Sequence, residues 1–108
     1  LPIYQLENIL AMKSVYAIRI YELLMKEQMT RFIPADGVSV ILAIKTIREA
    51  CDCETKYEKI SQFKSKVIDI AVKEICRCTS YTVSYECLKK GRSIEAFRFH
   101  LNSKYNKI

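Results

Sequence analysis

Glycine and proline are scarce in this chain, two of each in 108 residues, which argues against a linker-rich or disordered segment. No long apolar run is present. The longest, Val38 to Ile44, is interrupted by Ser39 and falls far short of a bilayer span. No charged-then-apolar leader precedes it, so no secretion signal is expected within these residues, and one further upstream would not be visible in them. The chain opens on Leu1, in mid-pattern, and is expected to be a fragment of something longer. Histidine occurs once, as His100 at a strand end, where it reads as a strand-face residue and not a base. There is no glycine-rich loop to cradle phosphate and no visible cluster of carboxylates. An enzyme is therefore not expected, and neither is a cofactor.

Five cysteines are present, an odd number, with Cys51/Cys53 and Cys76/Cys78 each one residue apart. Neighbours at i and i+2 form no unstrained bridge with each other. Cys76 and Cys87 have apolar neighbours and read as small core residues. A reducing, cytoplasmic location follows. Zinc held by the two Cys-x-Cys pairs is the alternative, but structural zinc pairs ordinarily leave two to four residues between ligands, and no metal is expected.

What is present is a core and a basic half. Half of the residues are hydrophobic, enough for a single domain of this length to bury a core. Residues 1–55 carry six Lys/Arg against seven Asp/Glu, a net −1, while residues 56–108 carry twelve against five, a net +7. A surface with one strongly cationic side suits a nucleic-acid partner.

Along the chain, Leu1 to Leu10 alternates weakly and reads as an extended lead-in. Ser14 is placed to cap a helix over about Val15 to Met29. Tyr16, Ile20, Leu23 and Leu24 form its buried stripe, and Arg19, Glu22 and Lys26 its solvated back, with Glu22 and Lys26 spaced to pair. Pro34-Ala-Asp-Gly37 is a turn. Val38 to Leu42 reads as a short buried strand, and Ala43 to Cys51 as a second helix. Asp52 to Lys59 connects it to a third helix, from Ile60 or Ser61 to Cys76. On that helix Ile60, Phe63, Val67, Ile70, Ala71 and Cys78 share the apolar side. Ser61, Gln62, Ser65, Lys66, Asp69 and Lys73 share the other, with Lys64 at the edge. Glu74 falls on the apolar side, so a nearby base is expected to hold it. Thr79-Ser80 breaks the helix. Two period-2 runs, Tyr81 to Cys87 and Ile94 to Phe99, flank the basic loop Lys89-Lys-Gly-Arg92 as a β-hairpin. The tail from Asn102 is expected to fray.

This order predicts an α+β fold, a winged helix-turn-helix of three helices, a short strand and a hairpin wing, occupying residues 1–108 as one domain. In that arrangement the third helix enters the major groove and the wing lies along the backbone. The expected DNA-binding residues are Ser61, Gln62, Lys64, Ser65, Lys66 and Lys73 on the helix, and Lys89, Lys90 and Arg92 on the wing. Gln suits adenine, Lys guanine, and Ser either base or phosphate. The wing cations neutralise phosphate without reading sequence. Asp69 is expected to orient Lys66 or Lys73, because an unpaired carboxylate beside phosphate is costly. Two other readings use the same fold: a transcriptional repressor, and a protein-interaction module docked on an acidic partner.

Three pieces together resemble a known family: Lys13-Ser-Val-Tyr-Ala-Ile-Arg-Ile-Tyr-Glu-Leu-Leu24; Phe63-Lys-Ser-Lys-Val67 with Ala71-Val-Lys-Glu-Ile75; and Val83-Ser-Tyr85 followed by Lys89-Lys-Gly-Arg92. In order and spacing the chain resembles the C-terminal winged-helix domain of iteron-binding plasmid replication initiators, the Rep proteins, from about Tyr4 to Leu101. The resemblance implies two winged-helix domains, of which this is the second and binds double-stranded DNA at directly repeated iterons of a plasmid origin. It implies a first domain, absent here, that serves homodimerisation and further DNA contact. Host replication proteins would be engaged through the full-length chain, and no membrane is involved. Family members often carry arginines where this chain has Lys64-Ser65-Lys66, and lysine lacks the planar fork that reads guanine bidentately. The wing role carries over to Lys89, Lys90 and Arg92.

Overall fold

The computed structural model describes residues 3–27 and 37–104, with side chains from Glu7 onward. Its elements are α1 (Ile3–Ala11), α2 (Val15–Glu27), β1 (Val38–Ala43), α3 (Ile44–Ala50), α4 (Ile60–Phe63), a π-helical turn (Lys64–Ile68), α5 (Asp69–Cys78), β2 (Tyr81–Lys90) and β3 (Ser93–Ser103). The expected strands and helices are present, with one addition. The extended lead-in is instead the helix α1. Ile3, Leu6, Ile9 and Leu10 recur at helical spacing, and that period prevails over the weak alternation.

Ser14 starts α2 as expected, its hydroxyl accepting from the Ala17 N–H at 3.3 Å. The buried face of α2 is Ala17, Ile20, Tyr21 and Leu24, so Tyr16 and Leu23 lie at the margins of the stripe. Glu22 pairs with Arg19 at 3.5 Å, not with Lys26. Both ends of that pair are exposed, so it contributes little. The expected end of the helix at Met29 and the turn residues Pro34 to Asp36 lie outside the described residues.

The three strands pair antiparallel in the order β1-β3-β2. Central β3 turns Phe97, Phe99 and Leu101 inward, all fully buried, and β1 adds Val40 and Leu42. β1 is thus buried on one face only, with Ser39 and Ile41 exposed; a sheet covered by helices on one side requires alternation. Gly37, just before β1, has φ +83°, and a Cβ there would sit 2.6 Å from His100 Nε2 and 2.8 Å from the Leu101 carbonyl oxygen. Gly37→Ala is accordingly expected to destabilise the chain by about 1–3 kcal/mol. In urea unfolding this reads as a lower midpoint at unchanged slope.

The third helix is one continuous rod of three pieces, because Phe63, Lys64, Ile68 and Asp69 at the junctions all keep right-handed helical backbone. Phe63, Val67 and Ala71 are buried as expected, but Ile70 is 40% exposed while Ile68 and Ile75 are fully buried. The π-turn causes the exchange. Its i→i+5 bonding spends an extra residue on the turn, so positions beyond it lag by about 100°, one residue's rotation. Ile68 moves onto the core and Ile70 off it.

The rod runs on to Cys78, beyond the expected Cys76, and Thr79 ends it with extended backbone. The Thr79 hydroxyl donates to the Ile75 carbonyl at 2.7 Å and accepts from the Tyr81 N–H at 3.1 Å. The expected fraying from Asn102 does not occur through Lys104. Asn102 and Ser103 complete β3, and Lys104 Nζ donates to the carbonyls of Cys76 and Thr79 at the end of α5. A cation is favoured there because those terminal carbonyls lack intrahelical partners.

Glu74 is held as expected, and more fully. Arg77 donates to it at 2.9 Å and the Lys13 N–H at 2.7 Å, which ties the α1–α2 junction to α5. The Lys13 N–H first, then Arg77, hold its carboxyl below the ordinary 4.5. A carboxylate so depressed adds stability above pH 4.5 and loses it as pH falls below that value. Glu74→Gln should therefore be less stable than wild type at neutral pH, and the two unfolding midpoints should converge in acid.

Candidate nucleic-acid interface

The exposed side of the rod carries the residues singled out from sequence. Ser61, Gln62, Ser65, Lys66 and Lys73 are exposed, and Lys64 is half-buried. Lys64, Ser65 and Lys66 all belong to the π-turn. Such turns recur at functional positions. The Ser65 hydroxyl donates back to the Gln62 carbonyl at 3.3 Å.

The wing follows from its turn chemistry. Lys90 pairs with Ser93 across the hairpin, leaving Gly91-Arg92 as a two-residue loop. Positive φ at Gly91 (64°) and not at Arg92 is the type II′ pattern, which matches the twist of antiparallel strands. A register shift between Leu88 and Lys89 adds twist just below the tip. Lys89, Lys90 and Arg92 are all exposed.

Rod and wing meet at a groove of about 470 Å³. It is lined by Lys89, Arg92, Ser93 and Ile94 of the hairpin, Ile44 and Arg48 of α3, Glu58 of the loop before α4, and Ile60, the first residue of α4. The cationic wing and the leading end of the rod thus share one rim. Among the described residues, Lys64, Lys66, Lys73, Lys89, Lys90 and Arg92 enter none of the ion pairs, which are Arg19–Glu22, Arg77–Glu74 and Arg98–Glu86.

Two residues that position this surface were not legible in the sequence. Arg48 donates to the carbonyls of Cys53 (2.9 Å), Lys56 (2.9 Å) and Tyr57 (3.0 Å), and its guanidinium lies 4.3 Å over the Phe63 ring. One fork therefore gathers the loop between α3 and α4, where Asp52 and Tyr57 hold positive φ, and fixes that loop to the base of the rod. Tyr85 of β2 donates its hydroxyl to Asp69 at 2.6 Å. This corrects the expectation for Asp69: it holds the wing strand to the rod and does not orient Lys66 or Lys73. Burial first, then that carboxylate, pushes the Tyr85 pKa up, so the hydroxyl stays a donor. Both contacts join residues whose nearness only the folded chain reveals.

The cysteines are free thiols. Cys51 is pushed up to about 12 by burial and by Cys53, so on its own it stays a thiol at neutral pH. Among the described residues no group of three His, Cys, Asp or Glu side chains is placed to hold a metal ion. No helix among them is long and apolar enough to cross a membrane.

Comparison with known proteins agrees with this fold. A family model described as "Initiator Rep protein, WH2" matches residues 43–101. No curated protein matches the chain. Among solved structures the chain is similar to the Pi initiator protein, crystallised in complex with iteron DNA, with a TM-score of 0.74 and 22% identity. The match covers 85% of this chain and 40% of that one. The fold is a winged helix, α+β, with the hairpin β2–β3 as its wing.

Proposed function

Because the chain belongs to the initiator Rep protein family, matched by the model of a winged-helix domain of those initiators, we propose that it binds repeats at a plasmid replication origin. It does so sequence-specifically, on double-stranded DNA, and thereby initiates replication. The observation that carries this reading is a rod with an exposed face of Lys66, Lys73 and hydrogen-bonding side chains, whose first residue, Ile60, lines one groove with Lys89 and Arg92 of the wing. Among the described residues the cations of rod and wing enter no ion pair. The iteron DNA held by the similar Pi initiator supports it. A major groove about 12 Å wide admits one helix, and Ser61, Gln62, Lys64, Ser65, Lys66 and Lys73 are the groups that face it. Lys89, Lys90 and Arg92 neutralise flanking phosphates.

The chain acts without catalysis of its own, in the cytoplasm, opening DNA through binding energy and recruited host replication proteins. Those proteins, and a homodimer partner, are engaged by parts of the full-length protein outside these residues. The chain spans 40% of the length of the Pi initiator chain that it matches. Nuclease protection on the DNA flanking the coding region tests the reading. Protection of tandem direct repeats is expected. Protection of a palindrome over a promoter would make the protein a repressor, and failure to retain any duplex at low salt would make it a protein-interaction module.

A further inference from the structure

Ile70 faces outward in the middle of the rod. It is 40% exposed, while Ala71 and Ile75 of the same helix are fully buried. Lys66 lies one turn before it and Lys73 one turn after, both exposed. A regular helix would have placed Ile70 with Phe63 and Val67 against the sheet, and the π-turn over Lys64–Ile68 removes it from there. A single exposed isoleucine is ordinary on a protein surface. This one interrupts a face otherwise made of lysines and hydrogen-bonding side chains, the face that meets DNA.

Resting on the DNA-binding reading, we propose that Ile70 is a specificity-determining residue that packs against the C5-methyl group of thymine in the major groove. Of the four bases only thymine presents an apolar group there, and apolar side chains read it by contact. A β-branched side chain on a helix is already confined at χ1, so the contact orders little that was free. Lys66 and Lys73 on either side reach neighbouring acceptors or phosphates and fix the register. The face then combines donors for base edges with one apolar reader that lysine and serine cannot replace.

The test uses duplex enriched on the chain from a randomised pool, with each thymine of the enriched site replaced singly by uracil, which deletes only the methyl group. At one position, or two adjacent ones, uracil should weaken wild-type binding about fourfold, the worth of one methyl-sized group withdrawn from water. Ile70→Ala should bind the thymine site more weakly and show no further loss with uracil, and Ile70→Val should retain part of the sensitivity. Thermal melts of both variants establish that they are folded; should Ile70→Ala fail to fold, the valine variant decides by its reduced uracil effect. Equal uracil losses in wild type and variant, or none in wild type, would overturn the inference and leave DNA binding standing. If the pool yields no enriched duplex, the DNA-binding reading falls and takes this one with it.

Discussion

Replacing Lys89, Lys90 and Arg92 together by alanine is expected to weaken binding to every duplex alike, on the order of a hundredfold at physiological salt. Each phosphate neutralised contributes about 0.9 to the slope of log affinity against log salt, so the triple variant should lose roughly 2.7 of that slope if all three side chains meet phosphate. The ratio of specific to non-specific affinity should hardly change, because phosphate contacts carry no sequence information. Folding should be spared. All three side chains are exposed, none is in an ion pair among the described residues, and nothing lies within 4 Å of where a Gly91 Cβ would be. Titrations at several salt concentrations, on specific and random duplex, read both quantities. A slope unchanged from wild type would remove the wing from the interface.

Phe63→Ala acts on the other component, the seat of the rod. Phe63 is fully buried, its ring 6.4 Å from that of Phe97 on the central strand and under the Arg48 guanidinium. Truncation opens a cavity between rod and sheet and removes the surface on which Arg48 rests while it gathers the preceding loop. The expected cost is about 3–5 kcal/mol, a large part of the roughly 5–15 kcal/mol that holds a domain together. Thermal unfolding should fall by roughly 15–30 °C for a domain of this size. Lys66→Ala, a few residues on but exposed, should stay within about 0.5 kcal/mol of wild type. A Phe63→Ala variant as stable as Lys66→Ala would mean that the rod is not anchored through its first turn.

The contrast between these positions explains what could be read from the chain before its fold was known. Residues whose role depends on local backbone chemistry declared themselves. Ser14 caps α2, Gly91 supplies the positive φ of the wing turn, and alternation across Phe97 and Phe99 marks a strand buried on one face. The basic loop and the basic helix were visible for the same reason, since charge and period are properties of short windows. Three features were not. The π-turn leaves no compositional mark, and a fixed 100° per residue carried Ile70 into the core and left Ile68 out of it. Tyr85 and Asp69 are sixteen residues apart, and a helix–strand hydrogen bond between them follows only from packing. Arg48 spends its guanidinium on backbone carbonyls, partners that every residue has and that no motif signals. Even α1 shows the difficulty: nine residues can satisfy a weak alternation and a helical period at once, and contact with the rest of the fold decides between them.

Amide chemical shifts of the isotopically labelled chain, followed as duplex DNA is added, test most directly whether rod and wing form one surface for DNA. The largest changes should fall in residues 61–73 and 89–93 together, with the open face of the sheet around Ser39, Glu86 and His100 left unmoved. Changes concentrated on that open face, with the rod and wing silent, would contradict the assignment.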